Sequence, residues 1–293
     1  MDFIEHIEDL EEFEILSKLA NNEADTKVDN ALEQILDLST AAHAARNPKV
    51  ATGGAAQVDY NVSLALMELA QRLEPVQHHK LIEFVTKLQR QTAIDPSTGE
   101  PIKIQGETLW TELPSLAYVE TETWREFGGN PCDEPTSPEM KPEQQRRWAN
   151  ANAFIAQLCQ AADIRYGNSL GRIHPMDKCL RAIHTMQYAL ENEKNPPASL
   201  VGTAAMRAAC MWFIYAADRL WANSRSGHAY PEICGAGSAG SNYAGRGWDG
   251  FTRDRWDVWE SGLQEALAAC SDEGEMKQLI GDALAHMKRA MSV

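Results

Sequence analysis

At 293 residues, with 44% hydrophobic and 24% charged side chains, the chain has enough apolar content for one extended core and too much for general disorder. Its formal net charge of −15 opposes a nucleic-acid partner, which needs a clustered basic surface, and an anionic membrane surface on the same ground. Seven acids and no Lys or Arg among the first fourteen residues are unlike a secretory signal or a mitochondrial presequence, so a cytoplasmic address is expected.

Helical periodicity runs from end to end. Residues 2–21 place Phe3, Ile7, Leu10 and Leu16/Leu19 near one stripe, which predicts an acidic N-terminal helix within residues 1–24. Helices follow at 26–46 and 58–73, separated by the breakers Asn47-Pro48 and Gly53-Gly54. Pro75 suits the first turn of a helix burying Leu81, Phe84/Val85 and Leu88. DPSTGEP (95–101) reads as a turn, and a Trp-rich helical region at 107–127 is interrupted by Leu113-Pro114. The Pro-rich connector GGNPCDEPTSPEMKP (128–142) is the best internal boundary.

Helix 143–166 comes next, ended by Gly167; helices 175–193 and 198–222 are separated by Asn195-Pro196-Pro197. The latter contains the longest strongly apolar run, Ala208 to Ala217, which is too short to span a bilayer. Residues 223–251 hold seven glycines together with Tyr230, Tyr243 and Trp248, a lid candidate. Helices at 252–270 and 272–290 close the chain, with Thr252 as an N-cap. No alternating strand and no internal repeat is found. The expected fold is all-α, a single multi-helix globular domain over residues 1–293 with about nine to ten helices.

Several apparent motifs fail on context. Gly235-Ala236-Gly237-Ser238-Ala239-Gly240 spells the dinucleotide fingerprint, but no strand leads in and no helix starts promptly after it. Gly167-Asn168-Ser169-Leu170-Gly171 matches the nucleophile elbow of hydrolases; the lead-in is a helix, and Gly167 is better read as its C-cap. His79 and Glu83 lie one helical turn apart beside Lys80 and Lys87 and lack a third zinc ligand. The six cysteines (132, 159, 179, 210, 234, 270) form no Cys-x-x-Cys pair, and Cys159 and Cys210 sit in apolar helical stretches; buried thiols in a reducing compartment are expected, with no metal and no cofactor.

The informative constellation is aromatic and polar. Eight tryptophans fall in blocks. On helix 143–166, Trp148, Asn152, Ile155 and Cys159 share one stripe, so an amide interrupts an apolar face and must be hydrogen-bonded. On helix 198–222, Arg207, Met211, Ile214, Asp218 and Trp221 share a side. Arg207 and Asp218 are about 16 Å apart along that helix, so each needs another partner: Glu191 is the candidate for Arg207, and Arg255 or Arg219 for Asp218.

The blocks LWTELPSL (109–116), WREFGGNP, WANANAFIAQL (148–158), YALE (188–191), AACMWFIYAADRLW (208–221) and GFTRDRWDVWESGL (250–263) resemble an ascomycete family of domains of unknown function, the 3632 family, over roughly residues 60–270. Trp110, Pro114, Trp148, Asn152, Phe154, Trp212, Arg255, Trp256 and Trp259 match its pattern. The resemblance implies a fungal all-helical protein, often encoded beside genes of specialised metabolism. It carries no agreed catalytic residues.

Two functions from different classes follow. The first is a cofactor-independent cyclase or isomerase, of the pericyclase or Diels–Alderase type, acting on an apolar polyketide or terpenoid intermediate. Asn152, Arg207 and Asp218 are its catalytic candidates; Trp110, Trp124, Trp148, Trp212, Tyr215, Trp248 and Trp256 would line its pocket. The second is a non-catalytic small-molecule-binding or protein-interaction protein, in which the tryptophans are core and the acidic first helix docks a partner or closes a homodimer. A third, hydrolysis through Ser169, requires a histidine beside that serine. A hollow interior favours the first; a solid centre with Asn152 and Arg207 fully engaged favours the second.

Overall fold

The computed structural model describes residues 6–21, 26–45, 53–129, 134–164, 173–229, 237–270 and 274–292. Among these are ten α-helices and one two-stranded hairpin, so the fold is all-α. No described helix is long and apolar enough to cross a membrane. By internal contacts the chain divides into two units, Met1–Arg125 and Glu126–Val293.

In the first unit the acidic start forms a short 3-10 turn, Ile7–Asp9, and then α1 (Glu11–Ala20). Phe13, Ile15, Leu16 and Leu19 of α1 are buried, so its apolar face is part of this unit's own core. α2 (Val28–Ala45) and α1 pack on α3 (Ala55–Arg72), which also carries α5 (Pro114–Arg125). After a 3-10 turn at Pro75–Gln77, α4 (His79–Leu88) buries the expected Leu81, Phe84, Val85 and Leu88. The region read as helical from 107 instead begins with an antiparallel hairpin, β1 (Lys103–Ile104) with β2 (Glu107–Thr108). Gln105 and Gly106 both have positive φ, the backbone signature of a tight two-residue hairpin turn. Strands of two residues are too short to show alternation, which is why periodicity missed them.

Two buried titratable groups of this unit oppose each other. Asp59, on α3, accepts the Ser115 N–H at 3.0 Å and so satisfies an open donor in the first turn of α5. Burial nonetheless pushes its carboxyl from 3.8 up to about 6. His78 is fully buried; its Nε2 lies between two carbonyls, Ala70 O at 3.0 Å and Leu73 O at 3.3 Å, and so carries the proton. Burial lowers its imidazole from 6.5 to about 4.

Asp59 contributes stability that is present below pH 3.8 and lost as pH rises through 6, because its folded pKa is raised. His78 contributes stability that is present above 6.5 and lost as pH falls through 4, because its folded pKa is depressed. Each amounts to about 3 kcal/mol at about 1.4 kcal/mol per pH unit, and the two largely cancel between pH 4 and 6. Urea unfolding of the full chain should therefore change little over that window. Asp59→Asn should lose about 3 kcal/mol on going from pH 6.5 to 4, whereas His78→Gln should gain stability; parallel slopes for the two variants would refute the assignment.

The second unit is centred on α8 (Ala204–Ser226), which packs against α6 (Pro142–Ala161), α7 (Leu180–Ala189) and α10 (Glu275–Met291). α9 (Arg253–Ala269) lies on the 3-10 turn Pro197–Leu200, and Thr252 caps it as expected, its hydroxyl accepting the Arg255 N–H at 3.1 Å. Gly128 has φ +83°, and a Cβ there would lie 2.2 Å from the Gln144 carbonyl oxygen, so only glycine lets this turn press against α6.

Candidate functional site

The α6 stripe read from the sequence is the buried face of that helix: Trp148, Asn152, Ile155 and Cys159 are all fully buried. Asn152 Nδ2 donates to the Trp148 carbonyl at 2.9 Å. Its Oδ1 accepts twice, from the Thr185 hydroxyl at 2.9 Å and from the Trp212 indole N–H at 2.9 Å. Asn152 thus ties α6 to α7 and α8 through bonds whose partners are all protein groups. A buried amide left unbonded costs about 1–3 kcal/mol, so this arrangement stabilises the three-helix junction.

The aromatic side chains around that junction pack on one another. Phe127 meets Trp148 edge-on at 5.7 Å and Tyr188 at 5.9 Å. Phe213 meets Trp256 at 5.7 Å and Trp259 at 6.1 Å, and Trp221 lies 5.2 Å from Trp256. These separations are those of favourable edge-to-face contacts. Tyr215 is half-buried on α8. Trp110 and Trp124 are buried in the first unit, so the tryptophans proposed as one lining belong to two different units. The indole N–H groups of Trp110 and Trp256 find no hydrogen-bond acceptor among the described residues.

The α8 side bearing Arg207, Met211, Ile214, Asp218 and Trp221 is the less buried side of that helix; Trp212, Phe213 and Ala216 face the core instead. Both charges pair with residues near the chain's end, and not with the expected partners. Arg207 grips Glu275 through two hydrogen bonds of 2.6 and 3.2 Å, and this guanidinium holds the Glu275 carboxyl below its ordinary value. Asp218 pairs with Arg289 at 3.3 Å, both half-exposed. The structure therefore does not bring Asn152, Arg207 and Asp218 to one place: the first is sealed in the core and the others lie on the α10 flank.

Glu191 and Arg255, which the sequence offers as partners for those charges, pair with each other. Both side chains are 0% exposed, and the ion pair is bidentate at 2.7 and 2.9 Å. Glu191 Oε1 also accepts the Trp259 indole N–H at 2.7 Å, and Oε2 accepts the Gly240 N–H at 2.7 Å. Arg255 donates onward to the carbonyls of Gly237, Ser238 and Gly250 at 2.6 to 3.0 Å. Its guanidinium stacks over Trp248 at 5.2 Å and Trp259 at 5.6 Å. Two opposite charges taken out of water need such complete hydrogen bonding to offset their desolvation.

The pair explains one glycine of the false dinucleotide motif, Gly240. A Cβ on Gly240 would stand 2.4 Å from Glu191 Cβ, so this glycine permits close approach to the clamp and not to a phosphate. Residues 237–251 are accordingly bolted down where described, with Trp248 only 7% exposed and stacked on Tyr243 at 5.5 Å. Tyr230 and residues 235–236 of the motif, together with Gly167 and Ser169, lie outside the described residues; α6 ends at Ala161 with Ala162 as its C-cap, so Gly167 is not the residue that caps it. Glu83, half of the weak His79/Glu83 pair, is bonded to Lys87 at 3.0 Å. A groove of about 180 Å³ in the first unit is lined by His43, Ala55, Ala56, Ile102 and Lys103, smaller than the cavities that enclose drug-sized ligands.

No curated protein and no solved structure matches the chain. A family model does, over residues 64–263, and this stretch contains the Trp blocks, Asn152, Glu191 and Arg255. The chain belongs to that family, described as Protein of unknown function (DUF3632).

Proposed function

We propose that this chain is a non-catalytic binding protein whose Trp-rich helices are the framework that carries its surface, and not the wall of a reaction chamber. The bonding of Asn152 supports this reading above all. A general acid, a base or an oxyanion donor must present a polar group to its substrate. Asn152 presents its amide N–H to Trp148 and its oxygen to Thr185 and Trp212. The other two polar candidates, Arg207 and Asp218, act as fasteners for α10. A net charge of −15 favours a cationic partner and a salt-sensitive association.

Turnover separates the two classes. The purified chain, incubated with a small-molecule or protein extract of its source cells in about hundredfold molar excess, should retain a component in a stoichiometric complex and release it unchanged on addition of salt. Conversion of any component beyond one molar equivalent, in proportion to chain added, would establish the cyclase or isomerase reading in its place.

A further inference from the structure

Three chemically reactive side chains converge at the junction of α6 and α7. Cys159 lies in the last turn of α6, Cys179 is the N-cap of α7, and Asp177 precedes it by two residues. Both thiols are 0% exposed and the Asp177 side chain is 3% exposed. One ligand atom of each residue lies within 4.8 Å of the others. His228, just beyond α8, brings Nε2 to 3.6 Å from Asp177 Oδ2. We propose that Cys159, Cys179 and Asp177 form a binding site for a thiophilic divalent cation of the zinc class, with His228 orienting the Asp177 carboxylate from behind.

The donor set carries the choice of ion. Two sulfurs and one carboxylate oxygen, with water in the fourth position, suit a tetrahedral borderline-soft cation and are a poor set for calcium or magnesium. Bonds of about 2.3 Å to sulfur and about 2.0–2.2 Å to oxygen and nitrogen give tetrahedral edges of roughly 3.3–3.8 Å between donors. The two sulfurs and the carboxylate lie within about 1 Å of that length.

The local backbone is arranged as a ligand loop needs. The Lys178 N–H donates to Cys159 Sγ at 3.1 Å, and the Cys179 N–H donates to Asp177 Oδ1 at 3.0 Å, which fixes both donors and leaves Oδ2 facing His228. Binding would displace the two thiol protons, so affinity should weaken in acid. The His228 side chain is 26% exposed and marks the route by which an ion enters.

The test uses the full chain, stripped with a chelator under reducing conditions and titrated with Zn²⁺, or with Co²⁺ as a spectroscopic probe. One equivalent of either metal should bind, with an intense thiolate-to-cobalt absorption and tetrahedral d–d bands. Cys159→Ser and Asp177→Asn should each weaken binding by at least about a hundredfold. Cys210→Ser and Cys270→Ser, outside the cluster, should leave it unchanged. If the cluster variants fail to fold, the wild-type chain still decides, because bound Zn²⁺ must protect Cys159 and Cys179 from alkylation as mapped by peptide mass. The proposal fails if uptake is below stoichiometric, if the cobalt spectrum shows no thiolate band, or if the chain purified without reductant holds Cys159 and Cys179 as a disulfide, which would make the pair a redox couple instead.

Discussion

Arg255→Met is expected to lower the unfolding free energy of the chain by about 3–5 kcal/mol, because it leaves Glu191 charged and fully buried without its partner. In a unit of this size that corresponds to a fall in Tm of roughly 10 °C or more. The loss has two parts. One is the orphaned carboxylate; the other is the release of the Gly237, Ser238 and Gly250 carbonyls that Arg255 holds. Hydrogen exchange resolves them: amides of residues 237–251 should lose protection in Arg255→Met even at temperatures where α6 remains protected. The double variant Glu191→Gln, Arg255→Met should recover part of the loss, since it removes the buried charge along with its partner. If the single and double variants are equally unstable, the ion pair contributes packing alone.

Asn152→Ala is expected to cost about 4 kcal/mol. It deprives Trp212 Nε1 and the Thr185 hydroxyl of their acceptor, at about 1–3 kcal/mol for each buried polar group, and opens a small cavity. Trp212→Phe removes the indole donor while keeping an aromatic ring in place. Combined with Asn152→Ala it should add much less than its own cost, because the two residues share one bond. Urea unfolding gives the energies, and near-ultraviolet circular dichroism shows whether the tryptophans keep their packing. Strict additivity would mean that the Asn152–Trp212 bond contributes nothing, and the claim that Asn152 serves the framework would lose its basis.

Both residues were visible in the sequence, but to different degrees. Asn152 stood out because it interrupts an apolar stripe at helical spacing, and the stripe Trp148, Asn152, Ile155, Cys159 is the buried face observed. Arg255 stands out in the sequence only by its match to the family pattern and as one candidate partner for Asp218. Its actual partner, Glu191, is 64 residues away, so nothing local could have nominated it. The same holds for Arg207 with Glu275 and Asp218 with Arg289, at separations of 68 and 71 residues. On α8 the more buried positions are Trp212, Phe213 and Ala216, and the side that carries Arg207 and Asp218 is the less buried one.

What the sequence determined by itself was whatever depends on neighbours within a few residues along the chain. That includes the all-α class, the placement of the helices, the Thr252 cap, the buried face of α6 and the family to which the chain belongs. Only the tertiary structure decided which charge meets which. It turned a glycine motif into close packing against Glu191, and it drew Cys159, Asp177 and Cys179 together without any Cys-x-x-Cys signature. The reason is physical. A helix's turn and its caps are short-range and are written in local order, whereas ion pairs and ligand clusters are chosen by desolvation in a core that exists only once distant segments have packed.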